Sequence, residues 1–191
     1  MKQTLILSLI LLICGNIFAA KALSPSAYTV TPAEGLYTQV NCFAFSEFAA
    51  WIGTEAGFMG STLDSPNIMS VLDSHNTDLP SDMITALLVK DDDFVWVGTD
   101  NGLALLDPYN YSATTPKSSP FKGWGITCIT KDKQGTLWIS AMKMDEEEGI
   151  LKGSGLTSYD GKTWQSFTSK KSQLAEDLLN AIGIGPDGTK W

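Results

Sequence analysis

Val95-Trp96-Val97-Gly98-Thr99-Asp100-Asn101-Gly102-Leu103 decides the fold of this chain. Apolar and β-branched residues flank Asp100-Asn101-Gly102, a turn sequence, so the stretch reads as two strands joined by a tight hairpin. Upstream, Trp51-Ile52-Gly53-Thr54 repeats the motif, and Gly57 follows Trp51 at the same distance as Gly102 follows Trp96. Four segments align on their tryptophan: Asn41–Trp51, Thr85–Trp96, Thr127–Trp138 and Asn180–Trp191. In each, a strand runs into a turn and then into a second strand that reaches the Trp. Asp132–Gly135 and Pro186-Asp187-Gly188 are turns of this kind. A third strand follows at Leu103–Asp107 and Leu156–Asp160, and a fourth at Thr163–Thr168.

The Trp-to-Trp spacings are 45, 42 and 53 residues. A period of roughly 40–50 residues carrying four short strands is the signature of a propeller blade. The long third copy has one source. Trp138 lies 17 residues before the Gly155-Leu156 pair, against 6 in the earlier copies, and that excess of 11 equals 53 − 42. An insertion, Met142–Ser154, therefore separates the second and third strands of an otherwise ordinary blade. The expected fold is all-β: an incomplete β-propeller of four-stranded blades over residues 23–191. Blades are expected at 37–77, 79–121 and 125–168, with a partial fourth at 174–191. The sequence stops inside the fourth copy, which predicts a fragment of a longer protein, with assembly of copies as the alternative. Tyr28–Val30 is a candidate outer strand for ring closure.

Leu79-Pro80-Ser81-Asp82, Ile84-Thr85-Ala86-Leu87 and the run from Val95 to Leu103 together resemble the two-component regulator propeller repeat. Gly155–Thr168 resembles the end of one such repeat. The resemblance covers the chain from about Tyr37 onward, with Gly57-Phe58 and Ser140-Ala141 as departures from the repeat. It implies the periplasmic sensor region of hybrid histidine kinases, many of which respond to oligosaccharides, or a related secreted or surface protein. The family carries no catalytic motif in these repeats, so the resemblance implies no catalytic residue.

Composition narrows the functions. All 13 basic residues are Lys, against 21 acids, for a net charge of −8. An acidic chain without the guanidinium fork is unsuited to binding nucleic acid. One His and no Arg leave little for a triad or a His-based zinc site. Residues 1–22 read as a secretory signal peptide, with Lys2, the apolar run Leu5–Ile13 and the cleavage site Ala20-Lys21-Ala22. Cys14 offers a lipoprotein alternative. No later segment is apolar enough to span a bilayer. A periplasmic, secreted or surface location follows.

Candidate ligand-binding residues are those on loops that follow second strands: Glu55, Asp100, Asn101 and, in the insertion, Asp145 and Glu146. Turn chemistry is the competing reading for Asn101-Gly102. Asp145-Glu146-Glu147-Glu148 lacks the alternating spacing of a calcium loop and reads as a solvated run, as does Asp91-Asp92-Asp93. His75 reads as an exposed loop residue. No metal, cofactor or catalytic residue is expected. The tryptophans are assigned to packing between blades, with Ile52, Val97, Leu103 and Ile139 in the core. Phe43, Leu87, Ile129 and Ile182 are expected to supply apolar bulk. Cys42 and Cys128 share a small-residue position with Ala86 and Ala181. They lie two blades apart, beyond the roughly 7 Å limit of a disulfide.

Three functional classes remain. The first is an extracytoplasmic sensor module that binds a glycan or another extracellular small ligand. The second is a structural propeller that docks a protein partner. The third is a lyase or hydrolase, which would need convergent titratable groups that the composition hardly supplies.

Overall fold

A computed structural model describes residues 39–62, 71–91 and 93–191. The signal segment, Cys14, Tyr28–Val30, Tyr37 and Asp92 lie outside the described residues. Among the described residues every regular element is a strand. The first sheet holds β1 (Val40–Phe45), β2 (Ala49–Thr54) and β3 (Gly57–Thr62). The second holds β4 (Ile84–Val89), β5 (Val95–Thr99), β6 (Gly102–Asp107) and β7 (Ser112–Thr114). The third holds β8 (Gly125–Lys131), β9 (Leu137–Asp145), β10 (Ile150–Tyr159) and β11 (Trp164–Phe167). Each sheet is an antiparallel meander in chain order. The first strands β1, β4 and β8 are neighbours in space, so the sheets fan outward as propeller blades do. After them, residues 183–191 make the start of another hairpin, closed by an Ile184–Lys190 bridge.

Turn chemistry explains why these runs become hairpins. Asp91, Asp107, Asp132, Asp145 and Asp160 each accept backbone N–H groups from just ahead in the chain with Oδ1. Asp187 does the same for Thr189. Such Asx turns satisfy amides that no ladder reaches. Much of the chain's acidity is therefore turn structure.

A bulge recurs in every first strand, where the register shifts between Val40 and Cys42, Ile84 and Ala86, and Ile126 and Cys128. The extra residue is Asn41, Thr85 or Thr127, and a bulge re-aims such a side chain. Asn41 Nδ2 donates to Ile84 O of the next blade at 2.9 Å, and Thr127 Oγ1 donates to Leu179 O at 2.7 Å. Thr85 Oγ1 is buried without a partner.

The core lies between sheets. Trp51, Leu79, Ile84, Val97 and Leu106 fill the first interface. Trp96, Leu103, Phe121, Ile126 and Ile139 fill the second. Gly53 and Gly98 permit the close approach. A Cβ on Gly98 would sit 2.7 Å from Ile126 Cβ, and one on Gly53 would sit 2.6 Å from Ile84 Cγ2. Each Trp reaches forward: Trp51 lies edge-on to Tyr109 and Trp96 edge-on to Tyr159.

Three expectations need correction. Phe43 is 44% exposed, because its side of β1 faces away from the second blade, whereas Leu87, Ile129 and Ile182 face back onto a preceding blade and are buried. Ala181 is exposed and Cys42 only half-buried, so the small-residue position is fully enclosed only at Ala86 and Cys128. Trp138 is partly buried; its indole N–H donates to Asp132 Oδ2 and Lys190 lies over its ring. Three strands of the first sheet lie among the described residues, and residues 63–70, where its fourth is expected, lie outside them. Cys42 and Cys128 belong to the first and third sheets, with the second between them.

Candidate functional site

The threonine that ends the Trp-x-Gly-Thr motif builds the tight junction. Thr99 Oγ1 donates to Gly102 O and accepts from Asn101 N–H, both at 3.1 Å. Thr54 repeats this with Gly57 O at 2.8 Å and Ala56 N–H at 3.1 Å. Gly57 and Gly102 have φ of 129° and 145°, where a side chain is strained. Asn101 is occupied structurally. Its Nδ2 donates to Pro80 O at 3.2 Å, and its carbonyl accepts from Gly123 N–H. Glu55 is exposed beside Gln39, whose carbonyl accepts the Glu55 N–H.

The third blade departs here. Ala141 stands where the threonine would cap the turn, and the strands run on. Expected as a loop, the insertion is a hairpin that prolongs β9 and β10, pairing Met142–Asp145 with Ile150–Gly153. Its tip is closed by Asp145 and by Gly149, at φ 65°. Lys152 Nζ lies 2.6 Å from Asp145 Oδ2 and 3.0 Å from Glu148 Oε2. That hydrogen bond to Lys152, and next the Glu148 N–H, hold the Asp145 carboxyl below the ordinary aspartate range.

The prolonged hairpin and the neighbouring blade enclose an open cleft of about 750 Å³. Asp100, Gly123 and Gly125 form one wall, and Met142–Glu147 with Leu151 form the other. Of the predicted residues, Asp100, Asp145 and Glu146 come together in this cleft. Glu55 and Asn101 do not line it. Sequence reasoning missed Gly123, Gly125, Met142, Met144 and Leu151. The 11-residue excess pointed to the hairpin, but no spacing pointed to Gly123.

A second cluster joins the blades. Asp82 Oδ1 accepts Ser74 N–H at 2.7 Å, and Asp177 Oδ1 accepts Ser169 N–H at 2.6 Å at the matching place of the next connection. Thr77 and Ser172 likewise donate to Asp73 O and Thr168 O. Donation from Ser74 holds the Asp82 carboxyl low. Asp73, His75 and Asp82 bring one potential metal-ligating atom each within 4.8 Å. Both carboxylates already accept backbone N–H groups, and the connection at Asp177 forms with Thr168 and Lys170 in place of Asp73 and His75. The clasp accounts for this cluster.

Residues 78–101, from the clasp to the capped junction, match the family model described as Two component regulator propeller. The chain carries a two-component regulator propeller repeat. Solved structures agree on the fold of these repeats. The extracellular domain of BT4673 from B. thetaiotaomicron, described as a one component system, superposes with a TM-score of 0.51 at 19% identity. PorZ, a surface component of the type IX secretion system of Porphyromonas gingivalis, superposes with a TM-score of 0.58 at 15% identity. The match covers 84% of this chain and 27% of the first, and 77% of this chain and 23% of the second. The chain thus spans about a quarter of these natural relatives' length. The computationally designed protein Ika4 superposes at 0.54 with 16% identity, over 85% of this chain and 94% of its own. No curated protein sequence matches the chain. These likenesses establish the propeller-blade fold, with the matched repeat in the second blade.

Proposed function

We propose that the chain is an extracytoplasmic ligand-binding module of a sensor or cell-envelope protein, and that the cleft beside the third-blade hairpin is its binding site. One observation carries this reading. The repeat is regular except at one strand junction, and there the added residues build a concave surface holding exposed Asp100 and Glu146. Variation on a regular scaffold is where recognition concentrates. The signal-like leader and the extracellular placement of the BT4673 domain support the location. The cleft is lined by carboxylates, one lysine and methionines, with no histidine to shuttle protons, which favours binding over catalysis.

A second reading, a docking surface of an envelope assembly, draws support from PorZ, a secretion-system component of the same fold. A thermal-shift screen of extracellular oligosaccharides and small metabolites tests the first reading. It is run on the chain and on a variant lacking residues 143–152. Stabilisation of the parent chain alone is expected. Equal stabilisation of both proteins refutes the site, and cooperative melting of the variant shows that its blades still fold.

A further inference from the structure

We propose that the cleft takes a short, extended, cationic peptide, which pairs with the free edge of β9 in the place that β8 vacates. This inference rests on the cleft being the binding site and names the class of its ligand.

The topology supplies the vacancy. β8 pairs with β9 only from Gly125, opposite Met142, to Lys131, opposite Leu137. Beyond Met142, β9 continues through Lys143, Met144 and Asp145, which pair with Lys152, Leu151 and Ile150 on one side. On the other side no described strand pairs with them. There the chain before β8 turns away: Gly123, at φ 77°, donates its N–H to Asn101 O, and Trp124 donates to Phe121 O. The cleft occupies the notch so left, with β9 along one wall and the side-chain-free backbone of Gly123 and Gly125 along the other. An exposed strand edge is a template for a further strand, and strand addition is a recurring mode of peptide recognition. Three free residues at about 3.4 Å each give an edge of about 10 Å, the length of a three-residue peptide segment.

Side chains select the peptide. Asp145 is held by Lys152, so three carboxylates, Asp100, Glu146 and Glu147, share the cleft lining with a single lysine, Lys143. Lys143 Nζ is drawn 4.7 Å above the Trp124 ring. Met144 is 56% and Leu151 47% exposed beside these carboxylates. A peptide alternating basic and apolar residues complements both, with its charges toward the acids and its apolar side chains on the methionine and leucine. The lining holds no aromatic ring, and the one nearby indole, Trp124, is covered by Lys143, so the cleft lacks the flat apolar face on which a sugar ring stacks.

The test uses the amidated, acetylated pentapeptide Lys-Val-Lys-Val-Lys, its Glu-Val-Glu-Val-Glu counterpart, and the lysine peptide N-methylated at both valines. Binding is followed through backbone amide shifts of the isotope-labelled chain. The lysine peptide is expected to shift Lys143, Met144, Asp145, Gly123 and Gly125. The glutamate and N-methylated peptides are expected to bind at least tenfold more weakly, the first for charge and the second for lost edge pairing. Glu146→Lys with Glu147→Lys should weaken the lysine peptide about tenfold while the melting temperature holds. Equal binding of the N-methylated peptide overturns the edge-pairing geometry, and so do shifts confined to other surfaces. An oligosaccharide that binds the cleft while the lysine peptide does not overturns this inference and leaves the site standing. If neither binds there, both fall.

Discussion

The second and third blades start from one template and diverge at three matched places. In the second, Gly98 lets Ile126 press against the sheet, and Thr99 caps a two-residue turn. In the third, Ser140 and Ala141 stand at those positions. Ser140 is fully buried and lies 2.7 Å from Thr127 Oγ1, which donates to Leu179 O across the next interface. The third blade replaces close apolar approach with a hydroxyl chain, and its uncapped turn lengthens into the hairpin. At the bulge, Thr127 is satisfied whereas Thr85 is not. A propeller interface can thus be closed by shape or by hydrogen bonds, and the choice at residues 140 and 141 decides whether the rim stays flat or grows a cleft.

The largest effect that would break this comparison is at Gly98. Gly98→Val places a branched side chain where one Cβ already meets Ile126 Cβ and Cγ2 at 2.7 Å. Overpacking of this kind should cost about 1–3 kcal/mol, read as a lower denaturation midpoint. An unchanged midpoint would mean that the two interfaces tolerate bulk alike. A smaller contrast compares the bulge threonines. Thr127→Val removes the donor to Leu179 O and the partner of Ser140, and should cost about 1 kcal/mol. Thr85→Val removes a hydroxyl that bonds nothing and should be neutral or stabilising. Equal losses in urea unfolding would erase the distinction between the blades.

The smallest effect concerns pH at the hairpin tip. Asp145 titrates below the ordinary aspartate range, chiefly through Lys152, so its contribution is present above about pH 4 and lost as pH falls through the depressed value. Lys152 is raised by the same contact, so its share persists until pH rises past the usual lysine range. The Glu147 and Glu148 amide shifts should therefore stay constant from about pH 5 to 9, with the Asp145 step in acid and the Lys152 step beyond the usual lysine range. Asp145→Asn should flatten that acid step. A midpoint near neutrality would rule out this arrangement of the tip.

Much of the fold was legible because its signals are local. The Trp period, the Gly-Thr junction and the turn aspartates each act within a few residues, and each recurs, so repetition substitutes for an alignment. The insertion was legible by arithmetic, but its form was not, since the loss of a threonine cap at Ala141 has no distinct local pattern. Phe43 misled for a related reason. It occupies the same register position as Leu87 and Ile129, and only the presence of a blade behind those two residues buries them.

Sequence by itself determined the class of element, the number of repeats and the place where the third one departs, because strand alternation and turn chemistry depend on neighbours within the same hairpin. Only the tertiary structure decided which acids are available. Asp145 and Asp107 are bound into turns and Asp82 into the clasp, while Asp100 and Glu146, from different blades, meet across one cleft. Their meeting depends on how one sheet packs on the next and where β8 ends against β9. Those distances are set by Gly98, Ile126 and Ser140 at the interface, and no spacing along the chain encodes them.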